Sequence, residues 1–407
     1  MVYEQAKAKL KEFGQEHLLA YYDELDEPGK VAICNQVEQL DFSLIQLALQ
    51  QKEAGKGSIS PLQATEIDEI KAKEDVYRNR GIKAIQEGKV AALMLAGGMG
   101  TRLGSNNPKG MYNIGLTRDC YIFECQIRNL LDVVEETGAW VPIYIMTSES
   151  NQEATMKFFK EQNYFGYQEE SIIFFVQEMA PVTDFTGKVF LESKSRIASS
   201  PNGNGGWFAS MANCNLLEGL YAKGVEWINV FAVDNVLQRI VDPCFVGATL
   251  ESGCTVGAKV VRKNARDEKI GVLCLEDNRP SIVEYYELTD EMMDLADEKG
   301  DRIYNFGVIL NYLFQVEELK NMLERQMPLH VVKKKIPYLN EAGESVKAME
   351  ENGCKYETLA LDMIHLSKSC LPYEVDRVKE FAPIKNKEGV DSVESARELL
   401  QKNGVKL

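Results

Sequence analysis

Leu93 to Gly110 read LMLAGGMGTRLGSNNPKG, and this stretch decides the fold class. It follows KVAAL (Lys89–Leu93), a short apolar run of the kind that forms a strand buried on both faces. A glycine-rich turn at the carboxyl end of such a strand exposes backbone N–H groups that no Cβ shields, which lets a chain approach phosphates closely. The plainer reading is a tight strand-to-helix connection with no ligand, because paired glycines mark turns generally. Two familiar phosphate loops fail against the letters. A dinucleotide fingerprint starting at Gly98 and Gly100 needs its third glycine at position 103, which is Leu103. A P-loop needs Gly-Lys-Ser/Thr, but Lys109 follows Pro108 and precedes Gly110. What remains is G-x-G-T-R-L-G-x-x-x-P-K, a glycine turn followed by the cations Arg102 and Lys109, with proline restricting the backbone before the lysine. Such a loop can wrap a triphosphate.

The rest of the chain bounds what that anion is. With 407 residues there is room for two or three domains and a large core. A formal net charge of −16 argues against nucleic acid or an anionic membrane, both of which need a basic footprint. The anion is therefore small and held by local cations. No run of eighteen apolar residues occurs, and the charged, periodic N-terminus lacks the apolar core of a signal peptide, so a cytoplasmic protein is expected. Nine cysteines stand singly with no C-x-x-C pair, which indicates reduced thiols rather than a disulfide framework or zinc site. His17, His330 and His365 each lack a neighbouring ligand or nucleophile and read as structural.

Residues 1–88 read as a helical N-terminal lobe, interrupted at DEPGK and GKGSISP. From Val90 the pattern becomes α/β, with apolar strands in WVPIYIMTS, SIIFFVQ, WINVFAVDN and IGVLCL. This predicts a mixed, mainly parallel sheet with helices on both faces, whose ligands bind beyond the carboxyl ends of the strands. Residues 89–375 form the expected catalytic domain. The remainder, 376–407, is a loop, FAPIKNKEG, and a short helix, VESARELLQKN, capped at Asp391-Ser392 and ended by Gly404.

The run from Tyr77 to Leu116, followed in order by SSPNGNGGW, FAVDN, AKVV, VEYYEL and PIKNKEG, resembles the UDP-sugar pyrophosphorylase family, most of all its UDP-N-acetylglucosamine pyrophosphorylase branch. HLLAYYDELDEPGKVAICNQVEQLDF is similar to that branch's helical lobe, so the resemblance covers nearly the whole chain. It implies a Rossmann-like GT-A-type nucleotidyltransferase core and a Mg²⁺-dependent reaction in which UTP and a sugar 1-phosphate give a UDP-sugar and pyrophosphate. N-acetylglucosamine 1-phosphate is the first expectation; glucose or galactose 1-phosphate, or broad acceptance, is the alternative within the same chemistry. A UDP-sugar-binding regulator without catalysis is the alternative of a different class, and the retained Arg102, Lys109, Asp234 and Lys385 weigh against it.

By the same resemblance, Gly97, Gly98 and Gly100 approach the nucleotide, while Arg102 and Lys109 contact UTP and the departing pyrophosphate. Gln177 matches the base-contacting glutamine, whose amide donates and accepts together against the uracil imide edge. Asn202, Gly203 and Asn204 are candidates for uridine and sugar. Asp234 is the expected Mg²⁺ ligand, and a carboxylate at a strand end suits a cation shared with substrate phosphates. Glu284 is expected to accept from sugar hydroxyls, Asn305 to lie near the N-acetyl or hydroxyl region, and Lys385 to sit by the sugar phosphate and α-phosphate, where a cation stabilises developing charge.

Two departures stand out. The family's FNAGNIANH becomes YNFGVILNY, with Val308 replacing an amide and Tyr312 a histidine, which puts sugar selectivity in question because pocket contacts decide it. Eukaryotic members continue into a C-terminal domain, whereas this chain closes with one helix, in size like the shorter bacterial members. Control or oligomerisation through that domain is therefore not inherited, and a monomer is the expected form.

Overall fold

The computed structural model describes residues 1–50 and 57–407, so Gly55 and Lys56 of the GKGSISP interruption lie outside the described residues. The chain divides into two compact units. The larger comprises Lys56–Gln177, Trp207–Gln326 and Ala360–Leu407, and the smaller Met1–Gly55, Glu178–Gly206 and Met327–Leu359.

A ten-stranded sheet among the described residues organises the larger unit. Its strands, in chain order, are β1 (Ile59–Pro61), β2 (Val90–Leu95), β3 (Ile143–Thr147), β4 (Ile172–Val176), β5 (Trp227–Ala232), β6 (Val256–Arg262), β7 (Val272–Glu276), β8 (Arg279–Val283), β9 (Phe306–Gln315) and β10 (Cys370–Glu374). The principal path runs β1-β7-β9-β5-β2-β3-β4, with β6 pairing β9 and β10, and β8 pairing β7. Pairing is parallel across β5-β2-β3-β4. Every residue of β2 and of β3 is buried, as the continuous apolar runs require of strands covered on both faces.

The other half of the sheet is antiparallel apart from the β6–β10 pair, so the sheet is mixed but less dominated by parallel pairing than the sequence suggests. One cause is local: β7 and β8 are joined by Asp277 and Asn278 at φ 49° and 66°, the two successive left-handed residues of a tight hairpin turn.

The division does not fall at residues 88 and 375. The helix Glu74–Gln86 belongs to the larger unit because it packs against Pro243–Ser252 at backbone contact. A Cβ on Gly81 would lie 1.8 Å from the Pro243 carbonyl oxygen, and one on Gly247 1.7 Å from that of Tyr77. The C-terminal helix Val393–Lys402, capped by Ser392, buries Val393, Ala396 and Leu400 in the same core.

In the smaller unit, DEPGK starts a helix rather than merely interrupting one. Asp26 accepts from the Gly29 N–H at 2.9 Å and Pro28 sits in the first turn of Glu27–Gln39. The helices of this unit are not a free-standing lobe: Leu10, Ile33 and Phe42 share a core with Ala180, Ile197 and Tyr356. His17 is structural, its Nε2 2.7 Å from the Val189 carbonyl oxygen. No described helix is long and apolar enough to cross a membrane.

Candidate active site

Three segments leave the larger unit's sheet at the carboxyl edge of its parallel strands. Ala232 of β5 faces Leu95 of β2 in register, so Asp234 and Gly97 each stand two residues beyond the same edge. Val176 of β4 faces Thr147 of β3, and the next residue, Gln177, donates its backbone N–H to the Thr147 carbonyl at 2.8 Å. The glycine segment after β2 does not run straight into a helix. It folds back on itself, with the Gly100 N–H on the Asn107 carbonyl (2.9 Å) and the Lys109 N–H on the Gly98 carbonyl (3.1 Å). Any phosphate cradle here is made of loop backbone.

Gly97 and Gln177 form a contact that glycine makes possible. A Cβ at position 97 would meet Gln177 Nε2 at 2.6 Å, and the backbone of Gly97 is not left-handed, so alanine fits apart from that amide. Gly97→Ala should therefore swing the Gln177 side chain away without unfolding the protein. The expected result is a UTP KM raised by about tenfold, the scale of one lost hydrogen-bonded contact, at a nearly unchanged melting temperature. An unaltered KM in this variant would take Gln177 out of base recognition. Gly98 is exposed with open space above it, whereas Gly100 is buried, close to Ser105 and Asn107.

The cations are arranged differently from one another. Lys109 Nζ lies 3.3 Å from Asp234 Oδ2, both side chains about four-fifths buried. Arg102 is exposed and pairs with no carboxylate among the described residues. Lys385 is exposed at a loop, with Nζ 3.0 Å from Asp391 Oδ2. The strip carrying Lys385 runs beside the Asp234 turn, since the Ile384 N–H donates to the Asp234 carbonyl at 2.9 Å.

Glu284 directly follows β8, its N–H donating to Glu287 Oε2 at 2.8 Å. Gly271 is its neighbour: a Cβ there would stand in ordinary contact with Glu284 Oε1, at 3.5 Å, while meeting Ile282 Cγ2 at 2.8 Å. The Gly271 carbonyl accepts from Val308, which puts that half-buried departure beside the Glu284 segment. Asn305 precedes β9 with its carbonyl accepting from Lys263, and its Oδ1 is buried without a hydrogen-bond partner. Tyr312, the other departure, is core: it is buried on β9 with its ring edge-on to Phe314, and burial raises its phenol far above the ordinary range.

Asn202, Gly203 and Asn204 belong to the smaller unit, not to the segments above. Asn202 Nδ2 donates to Glu178 Oε2 at 3.2 Å, while its Oδ1 is buried and unpartnered. Gly203 is explained by the backbone alone. Its φ is +88°, and a Cβ would lie 2.2 Å from the Thr358 carbonyl oxygen. Asn204 opens the short turn Asn204–Gly206.

The sequence profile described as UTP–glucose-1-phosphate uridylyltransferase matches residues 41–406. The chain belongs to this family. Among its members, the chain is similar to UDP-N-acetylhexosamine pyrophosphorylase-like protein 1 of Mus musculus, 34% identical over 95% of this chain and 81% of that one. UDP-N-acetylglucosamine pyrophosphorylase of Saccharomyces cerevisiae is 35% identical over 95% of this chain and 87% of its own. Among solved structures, that of uridine diphosphate N-acetylglucosamine pyrophosphorylase from Trypanosoma brucei superposes with a TM-score of 0.83 at 26% identity, covering 98% of this chain and 84% of that one.

In this uridylyltransferase family member, no group of three or more His, Cys, Asp or Glu side chains capable of holding a metal occurs among the described residues. A single carboxylate at the sheet edge, Asp234, nevertheless fits Mg²⁺, which completes its shell with phosphate oxygens and water rather than with a protein cage. Two supporting residues are not evident in the sequence. Gln126 is fully buried and donates to the Val233 and Asn235 carbonyls at 2.8 and 2.9 Å, bracketing Asp234. Asn151 donates to the Ala96 carbonyl at 3.0 Å, just before the glycines. The available signal was a glutamine between Cys125 and Ile127 on the apolar face of the helix Ile122–Thr137.

Proposed function

We propose that the chain catalyses uridylyl transfer from UTP to a sugar 1-phosphate, N-acetylglucosamine 1-phosphate foremost, releasing pyrophosphate. The observation that carries this reading is the shared edge at which the glycine turn, the Gln177 amide and the Lys109–Asp234 pair meet. An oxygen of the sugar phosphate forms a bond to the α-phosphorus of UTP, and the bond from that phosphorus to the pyrophosphate oxygen breaks. The attacking oxygen is already ionised at neutral pH, so neither a nucleophilic side chain nor a histidine base is needed. The protein has to hold two anions in line and offset their charge.

In this reading the loop amides at Gly97 to Gly100 receive phosphate oxygens, and Gln177 reads the uracil edge. Arg102 and Lys109 hold the departing pyrophosphate, and Lys385 holds the sugar phosphate and α-phosphate. Asp234 would hold Mg²⁺, which when bound supplies further neutralisation at phosphate oxygens. Asn202 and Asn204 serve uridine and sugar, with Gly203 shaping their loop. Glu284 and Asn305 serve the sugar, and the orphaned Asn305 Oδ1 suits a donor such as an acetamido N–H or a hydroxyl. The names of the yeast and trypanosome relatives favour the acetamido sugar. Val308 beside the Glu284 segment, apolar where relatives carry an amide, favours a second acceptor class, glucose or galactose 1-phosphate.

Pyrophosphate release across a panel of sugar 1-phosphates and all four nucleoside triphosphates tests both points. UTP should exceed CTP by at least about tenfold in kcat/KM, because the cytosine amino group leaves part of the Gln177 amide unpaired. N-acetylglucosamine 1-phosphate should lead the acceptors, with measurable turnover on glucose or galactose 1-phosphate. Equal rates with UTP and CTP would remove the base reading, and strict dependence on the acetamido group would remove the broader acceptor.

A further inference from the structure

The segment AKVV places Lys259 in the middle of β6 among apolar neighbours, and the structure buries it completely. Its Nζ lies 2.5 Å from Glu380 Oε2, 3.0 Å from the Arg239 carbonyl oxygen and 3.4 Å from Asp242 Oδ2. Burial raises the Glu380 carboxyl above the ordinary range despite Lys259. Burial also acts on Asp242, but the Lys259 and Arg239 charges outweigh it and hold that carboxyl low. Lys259 also stands where the β6–β9 pairing is interrupted: it skips from Ala258–Tyr312 to Val260–Val308. Within the stretch of β9 that β6 skips, Asn311 donates to the same Arg239 carbonyl. A buried ion cluster contributes little stability beyond well-packed apolar residues of the same volume. Its effect is better sought in what it holds in place.

Glu380 ends the short helix Arg377–Glu380, five residues before Lys385. Its carbonyl accepts from Asn235 Nδ2 at 2.8 Å, and Asn235 Oδ1 accepts from the Ala382 N–H at 2.8 Å. The Val236 N–H reaches the Ala382 carbonyl (3.3 Å), and the Ile384 N–H reaches the Asp234 carbonyl (2.9 Å). Phe381–Lys385 therefore lies alongside Asp234–Val236 in one register, anchored at its start by the Glu380 carboxylate on Lys259.

We infer that Lys259 is a positioning residue: through Glu380 it fixes the register of the Phe381–Lys385 strip against Asp234–Val236, and so the place of Lys385 relative to Asp234. The catalytic meaning of that placement rests on the uridylyl-transfer reading; the register itself does not.

Lys259→Met alone strands two buried carboxylates and can fail to fold. The test variant is therefore Lys259→Met with Glu380→Gln, in which the opposite charges leave together. In the full chain, hydrogen exchange of the Ala382 and Ile384 amides should quicken by about tenfold or more, while amides of β3 keep wild-type protection. In steady-state assays kcat should fall by about tenfold or more with the UTP KM within about twofold. In a Lys385→Ala background the same pair of changes should cost less than about twofold further, because a residue acting only through Lys385 has nothing left to place. Wild-type protection at Ala382 and Ile384 would overturn the inference, as would a full additive loss in the Lys385→Ala background. Should the wild type release no pyrophosphate from UTP with any sugar 1-phosphate, the transferase reading fails, and the exchange measurement still decides whether Lys259 holds the strip.

Discussion

Replacing Lys109 or Lys385 with alanine is expected to lower turnover by about 10²-fold or more, close to 3 kcal/mol of transition-state stabilisation. The magnitude follows from their proposed role, since each cation is placed before the reaction where charge will develop, at little reorganisation cost. Their losses should differ in kind. Lys109 leaves the edge of β2 toward Asp234, so its removal should weaken pyrophosphate binding in the reverse direction. Lys385 comes from the strip beside Asp234, so its removal should raise the KM for the sugar 1-phosphate. Lys385 pairs with Asp391 at an exposed edge, so its variant should unfold near the wild-type temperature, since exposed pairs contribute little stability. Lys109 and Asp234 are mostly buried, so Lys109→Ala leaves a buried carboxylate without its partner and should unfold at a lower temperature. Its turnover is to be compared well below that temperature. Near-normal turnover in both variants would undo the mechanism.

Asp234→Asn should lower turnover and raise the magnesium concentration needed for half-maximal rate by at least about tenfold, the scale on which altering a metal's protein surroundings acts. Asparagine keeps the shape and leaves the main chain of Asp234, bracketed by Gln126 and Ile384, undisturbed. On the proposed function it would remove one charge from the Mg²⁺ shell, and it removes the partner of Lys109. A magnesium titration of both proteins, with thermal unfolding as the folding control, decides the point. Superimposable titrations from two well-folded proteins would take Asp234 out of the metal site.

How much of this can be read from the letters depends on the range of the interactions. The edge of the parallel strands is legible because apolar runs end where the chemistry begins: Gly97, Gln177 and Asp234 each stand one or two residues past the end of an apolar strand. Ser392 as a cap and Gly404 at φ +81° are equally local. Gly203 is legible as special but for another cause, since the Thr358 carbonyl that forbids a side chain there lies 155 positions away. Lys259 stands out in the letters only through the family likeness of AKVV. Its partners Asp242 and Glu380 are distant in sequence, and nothing local marks the lysine as buried. The division into units is hidden for the same reason. The spacing of apolar residues in positions 1–88 reports helices, not which strands will cover them.

The interleaving of the two units also sets a schedule for the newborn chain. Leu10, Ile33 and Phe42 are covered in part by Ala180, Ile197 and Tyr356, which follow them by well over a hundred residues. At typical ribosomal speeds of about 5–20 residues per second, the roughly 300 residues between the first segment of the smaller unit and the end of its last take about 15 to 60 s to appear. For that interval the N-terminal helices expose an apolar face whose native cover does not yet exist. Closing such distant contacts is slow even once the chain is complete. The order in which this chain visits its two cores thus ties the exposure of that face to the speed of synthesis: slower translation lengthens it and faster translation shortens it.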